Sequence, residues 1–188
     1  AMDMMRQQVR PETRIGTWII AGGTASNVIP AFGKLEVTVR HTEREYLNGL
    51  SEQIKKIFEG AALCTGTTVD VEFYGNPYDD MNQNNRGTAL IEAVMTDMGL
   101  DFEPGPAALG GSSDIGNVSY QCAALHPKLR LAGEPKVCHS KEFAAAMLEP
   151  TIEQTIIDGA NIIGGTVLRL VEKPTILEEI VAEFNNSK

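Results

Sequence analysis

Apolar and polar residues alternate with period two over Lys34–Arg40. Leu35, Val37 and Val39 point one way and Lys34, Glu36, Thr38 and Arg40 the other, which predicts a half-buried strand. Arg14–Ala21 reads as a second strand, and GGTASNVIP (Gly22–Pro30) joins the two. The period then lengthens to that of a helix, with Leu47, Leu50, Ile54, Ile57, Phe58 and Ala61 on one face. Thr42-Glu43-Arg44-Glu45 forms a capping box at its start, and Gly66 closes it. Thr67–Phe73 alternates again, Val69, Val71 and Phe73 against Thr68, Asp70 and Glu72, predicting a third strand. Half-wet strands in the order strand, strand, helix, strand predict an antiparallel sheet covered by helices on one side.

The stretch Tyr74–Gly87 is rich in Asn, Asp, Gly and Pro and marks a boundary. A helix follows, with Leu90, Ile91, Val94, Met95 and Met98 facing inward and Gly99 closing it. Gly105–Pro135 is irregular and Gly/Pro-rich, interrupted by apolar pieces at Val118–Leu125 and Leu129–Ala132; loops of this kind carry function more often than stability. A long helix spans Thr151–Val171, with Ile152, Ile156, Ile157, Ala160, Ile163, Val167 and Leu170 as its inward face. Pro174 stops it, and Thr175-x-x-Glu178 caps a terminal helix. There is no internal repeat and no low-complexity tract.

Composition narrows the classes. Hydrophobic content of 43% with 22% charged residues is that of a folded domain. A formal charge of -9 and scattered basic residues, with Lys55-Lys56 the only adjacent pair, exclude a sequence-blind nucleic-acid binder. No run approaches the roughly 20 apolar residues of a membrane span, and the N-terminus lacks the apolar core of a signal peptide. Cys64, Cys122 and Cys138 are odd in number and far apart, so neither a disulfide framework nor a zinc ribbon is expected. The expectation is a reduced, cytoplasmic protein.

Among candidate chemical groups, His139 lies between an irregular segment and a helix start, flanked by Ser140 and Lys141; it reads as a metal ligand or as a surface or capping residue. Cys138 beside it reads as a buried, inert thiol. Asp114, in GGSSDIGN, is either a carboxylate oriented by its loop or a turn residue satisfying that loop. His126 reads as a hydrogen-bonded core or strand-end histidine and His41 as a solvated one. GGTASN lacks the lysine of a phosphate loop; its amides and Asn27 fit a carboxylate better. Arg40 offers a bidentate partner for that carboxylate, or is a solvent-facing strand arginine. A dinuclear hydrolytic site needs about five nitrogen or oxygen ligands and a carboxylate base. Three histidines, no HxxxH, no HExxH and no adjacent glutamates before Glu178-Glu179 cannot supply them.

Three segments carry a family resemblance: RQQVRPETRIGTWIIAGGTASNVIP (Arg6–Pro30), GGSSDIGNVSYQCAALHP (Gly110–Pro127) and CHSKEF (Cys138–Phe143). They resemble the amidohydrolase branch of the zinc exopeptidases with an inserted lid, and within it p-aminobenzoyl-glutamate hydrolase most. The resemblance runs to about Val171. It implies an α+β, α/β architecture: a two-layer antiparallel sheet-plus-helix lid, which is also the dimerisation domain, over residues 1–77, followed by the C-terminal part of an α/β metallopeptidase-like catalytic domain over 78–188. It further implies that the N-terminal catalytic segment and the lid's first strand are absent. His139 matches the family's last metal-ligand histidine. Asn27 lies in the lid loop that reaches toward the substrate carboxylate, often across the dimer, and Arg40 matches a lid arginine of similar purpose. Asp114 and Asn117 match a loop lining the catalytic pocket. Relatives carry histidine where this chain has Gly16, which removes a group that would polarise the scissile carbonyl.

The implied function is that of a fragment of a metal-dependent amidohydrolase or peptidase acting on N-acyl amino acids, aminobenzoyl-glutamate-like conjugates or dipeptides. Zinc or manganese would serve the complete enzyme through a bridging water and a glutamate base, and this chain would bind none or bind it weakly. The expected partners are a second copy, through the lid sheet, and a complementary N-terminal catalytic segment or chain; nucleic acid and membrane are not expected. The isolated chain is expected to be inactive. The alternative is a non-catalytic dimerisation or carboxylate-binding module.

Overall fold

The structure, a computed structural model, describes residues 1–105, 111–131 and 135–187. Gly110, which opens the GGSSDIGN run, and Ala132, at the end of the second apolar piece, lie outside the described residues. The chain divides into two compact units, Ala1–Asp80 and Met81–Lys188.

The first unit runs α1 (Met2–Arg6), β1 (Arg14–Ala21), β2 (Lys34–Arg40) and α2 (Arg44–Thr65). β1 and β2 pair antiparallel from Arg14↔Arg40 to Ala21↔Lys34, with an irregularity between Ile19 and Ala21. Both strands span the predicted residues. Side chains two apart share a face, so Ile15, Thr17 and Ile19 lie with Leu35, Val37 and Val39. Ile15, Val37 and Val39 are half-buried, and α2, which packs on β2, buries Leu50 and Ile54. The opposite face leaves Trp18 63% exposed.

Two expectations fail here. The capping box does not form: Glu43 is the N-cap and makes no side-chain cap bond. Its carboxylate instead takes Arg10 at 2.6 Å, and its N–H donates to His41 Nδ1 at 2.9 Å. A helical N–H, that of Arg44, is taken by Asp80 Oδ1 at 3.2 Å, so the cap comes from 36 residues away. The predicted third strand, Thr67–Phe73, forms no ladder. Its start is committed to ending α2. Gly66 adopts φ 67°, and the Thr67 N–H donates to the Ala62 carbonyl at 3.0 Å, the closure that a left-handed glycine permits. Beyond its end, the Tyr74 hydroxyl meets Glu36 on β2 through side chains alone, and that contact raises the phenol pKa.

The second unit contains α3 (Asn85–Asp97), α4 (Ile115–Ser119), α5 (Lys141–Ala146), α6 (Thr151–Glu172) and α7 (Pro174–Asn186), and no strand among its described residues. α3, α6 and α7 pack on one another. Ile91, Met95 and Ile162 form the core, with Leu100, Phe102, Leu125 and Leu129 against it. A Cβ on Gly165 would meet Val94 at 2.9 Å, so a glycine there lets α6 approach α3. The start of α3 is gripped by α7. Asn84, 3% exposed, accepts the Gly87 N–H and donates to the Ile180 carbonyl, while Glu183 accepts the N–H groups of Asn85 and Arg86.

α6 has the predicted bounds within a residue but buries another side. Ile162 and Thr166 are buried, and Ile152, Thr155 and Leu170 half-buried, whereas Ile156, Ile157, Ile163 and Val167 of the predicted inward face are exposed. Pro174 does not follow a gap but opens α7 as its first residue, where its missing N–H costs nothing; Lys173, not Thr175, is the N-cap. The short helix α4 replaces the start of the predicted apolar piece at Val118.

Candidate functional site

The connection between β1 and β2 holds the candidate carboxylate grip. Gly23 sits at φ 109°, and a Cβ there would meet Pro30 Cγ at 2.8 Å, so a glycine is required where the connection turns back on itself. Asn27 is exposed at this tip, and the apolar side chains around it are too: Val28 55%, Ile29 93% and Phe32 69%. Arg40 is exposed at the other end of β2, opposite Arg14. Lys34, where the connection returns to the sheet, is six residues from Arg40, roughly 20 Å along an extended strand. Among the described residues no bond joins Asn27 to Arg40, and the hairpin holds them at opposite ends. One carboxylate is therefore not gripped by both from the same hairpin.

In the second unit Asp114 is the exposed N-cap of α4 and makes no side-chain cap bond. Asn117, half-buried, lies three residues on, so the two share a helical face. His139 is exposed and sits at φ 66°, in the left-handed region that non-glycine residues rarely occupy. The turn is held from behind: Ser140 caps α5 by accepting the Phe143 N–H at 3.0 Å. Among the described residues no group of three His, Cys, Asp or Glu side chains is placed to hold a metal ion. The donor set among the described residues does not fit a metal centre by itself. His139 stands as one donor.

Three side chains differ from their sequence reading. Cys138 is exposed, not buried, and so are Cys64 and Cys122. His126 is exposed and not a core histidine. His41 is half-buried: its Nδ1 accepts the Glu43 N–H, its ring lies 4.3 Å from Tyr46, and the Arg10 guanidinium stacks on the same Tyr46 ring at 4.4 Å. This joint was legible only as the scattered letters Arg10, His41 and Tyr46. Its Nε2 and the Thr13 hydroxyl are buried side-chain atoms without partners among the described residues.

The chain is similar to enzymes whose names denote amide-bond cleavage. It is 28% identical over 186 residues to the Xaa-Arg dipeptidase of Mus musculus, a match covering 97% of this chain and 43% of that protein. The Homo sapiens Xaa-Arg dipeptidase is 27% identical over 189 residues, covering 97% of this chain and 42% of the relative. The N-acetyldiaminopimelate deacetylase of Leuconostoc citreum is 31% identical over 98 residues, 52% of this chain and 25% of that enzyme. The chain thus spans less than half the length of the dipeptidases it matches. No family model matches it. None of these three relatives carries the p-aminobenzoyl-glutamate hydrolase name. Among the described residues no helix is long and apolar enough to cross a membrane.

Proposed function

We propose that this chain is part of a metal-dependent amidohydrolase or peptidase of the inserted-lid zinc exopeptidase family. It would act on the amide bond of dipeptides, N-acyl amino acids or aminobenzoyl-glutamate-like conjugates, and be inactive by itself. The observation that carries this reading is the likeness to two dipeptidases along 97% of the chain. The first unit serves as the lid and dimerises through its sheet, and the second belongs to the catalytic domain.

The proposed residue roles are those that the family resemblance implies, set on the positions described above. Asn27, on a protruding tip amid exposed apolar side chains, reaches a substrate carboxylate held outside its own hairpin, in the partner copy's site. Arg40, a hairpin's length away, meets a different group or the other copy's substrate. Asp114 and Asn117 line the pocket from one helical face. His139 contributes one ligand for zinc or manganese, its imidazole aimed by the left-handed turn; the remaining ligands and the base come from a complementary segment. The alternative, a non-catalytic dimerisation or carboxylate-binding module, is favoured by the exposed hairpin tip alone.

Titration of zinc and manganese into the metal-free chain and into His139→Ala tests the reading. Micromolar or weaker binding, with no dipeptide or N-acyl amino acid hydrolysed, is the expected outcome. Affinity far tighter than micromolar that disappears in His139→Ala, or turnover by the chain alone, would show that a complete site assembles here and would sink the proposed incompleteness.

A further inference from the structure

The joint at the foot of the hairpin holds a titratable group that the proposed function does not use. Arg14↔Arg40 is the last pair of the ladder, and Thr13 and His41 are the residues that leave the sheet next to it. Arg10 ties the chain before β1 to α2 in three ways. Its N–H donates to the Tyr46 hydroxyl at 3.1 Å, its guanidinium pairs with Glu43 at 2.6 Å, and the same group lies 4.4 Å from the Tyr46 ring centroid. His41 makes the matching contacts from the end of β2. Its ring lies 4.3 Å from that of Tyr46, and its Nδ1 accepts the Glu43 N–H at 2.9 Å.

A ring nitrogen that accepts a backbone N–H carries no proton, so the proton of neutral His41 is on Nε2. Nε2 is buried and without a partner among the described residues, as is the Thr13 hydroxyl. A second proton has only Nδ1 to go to. It would set N–H against N–H, break the bond to Glu43 and leave a cation with neither ring N–H satisfied. The charged groups on the elements that meet here do not offset that loss. Glu43, the acid nearest in the chain, is engaged by Arg10. Arg14 donates to the Pro11 and Thr13 carbonyls. Arg44 pairs with Asp79, and Asp80 accepts the Arg44 N–H. Arg40 adds a positive charge next in sequence, while Glu12 and Glu45 are exposed.

We propose that His41 is a pH-sensitive latch. As a neutral imidazole it holds the start of α2 to the end of β2, and on taking up a proton it lets go. The closed state binds one proton fewer than the open one. Closure is therefore favoured at higher pH and is lost as pH falls through the range in which imidazoles protonate. Opening frees the Glu43 N–H and the Tyr46 ring together, and with them the residues 7–13 that Arg10 holds to that ring. The middle of α2, with Leu50 and Ile54 buried, stays packed. The latch lies within the first unit and calls on no metal or substrate group, so it stands apart from the proposed function.

Hydrogen exchange of the full chain at about pH 7.5 and about pH 5.5, read by mass spectrometry and corrected for the intrinsic pH dependence of exchange, tests the latch. Peptides covering residues 7–13 and 41–46 should exchange at least about tenfold faster at the lower pH, and those covering residues 50–57 should not change. His41→Asn offers an amide oxygen in place of Nδ1, in the turn that asparagine forms with the N–H two residues on, and it does not titrate. Its protection should be the same at both pH values. Nitrogen NMR of the wild-type ring at the higher pH should show the tautomer protonated at Nε2. Equal protection of the wild type at both pH values overturns the proposal. So does an unchanged pH dependence in His41→Asn, which would assign the effect to Glu43, Asp79 or Asp80, and so does a His41 proton on Nδ1. Where the variant fails to fold, the wild-type exchange and the tautomer decide.

Discussion

α2 and α6 are both 22 residues long and each begins and ends within a residue or two of its predicted position, yet only α2 buries the side that its pattern predicts. In α2 the apolar residues fall on one stripe, and Leu50 and Ile54 of that stripe are buried against the hairpin. In α6 apolar residues lie almost all round, and the buried set, centred on Ile162 and Thr166, includes a threonine where isoleucines and valines were available. Periodicity identifies a face when only one face is apolar. When two are, it identifies the helix and leaves the choice of side to the neighbours.

Adjacent residues on α6 put that comparison to the sharpest trial. Ile162 is 1% exposed and Ile163 65%. Ile162→Ala should cost about 3 kcal/mol in urea unfolding, the range for emptying a well-packed core position, and Ile163→Ala less than about 0.5 kcal/mol. Equal costs would mean that the exposed side of α6 is covered in the isolated chain.

The neighbouring glycines should differ in sign. Gly165→Ala pushes a methyl into Val94 and should destabilise by about 1–2 kcal/mol. Gly164→Ala enters open space and should stabilise by about 0.5–1 kcal/mol through helix propensity. Two stabilising substitutions would place α6 farther from α3 than the packing described.

The smallest effect concerns pH. The Arg86 N–H foremost, with the backbone and side chain of Asn85, holds the Glu183 carboxyl below its usual range. A carboxylate with a depressed folded pKa contributes stability that is present above its unfolded pKa and is lost as pH falls through the folded value. Glu183→Gln should therefore lower the melting temperature at neutral pH, and the gap between variant and wild type should close as pH drops below about 4.5, the ordinary value of a glutamate carboxyl. A gap that persists in acid would assign Glu183's role to packing, not charge.

The capping groups repeat the lesson of the two helices. Gly66 was legible because a left-handed residue after a helix needs no distant partner. The start of α2 was not, because the group that takes its Arg44 N–H, Asp80, lies 36 residues away and is brought there by the fold. The candidate site divides in the same way. His139 was placeable before a helix from its neighbours, but its left-handed backbone and exposed ring were not. Asn27 and Arg40 looked like one grip because both flank one strand; a strand's length separates them once the register is known.

What the amino-acid sequence determined by itself is local: the spans of β1 and β2, the existence of α3, the existence and length of α2 and α6, and the glycine that ends α2. Backbone preferences and side-chain period act within a few residues, so they are written in order along the chain. Tertiary structure alone decided which side of α6 is buried, that Thr67–Phe73 stays out of the ladder, and that α3 begins where α7 offers Glu183 and the Ile180 carbonyl. Burial and hydrogen-bond satisfaction depend on what lies opposite, and the residue opposite is set by the fold.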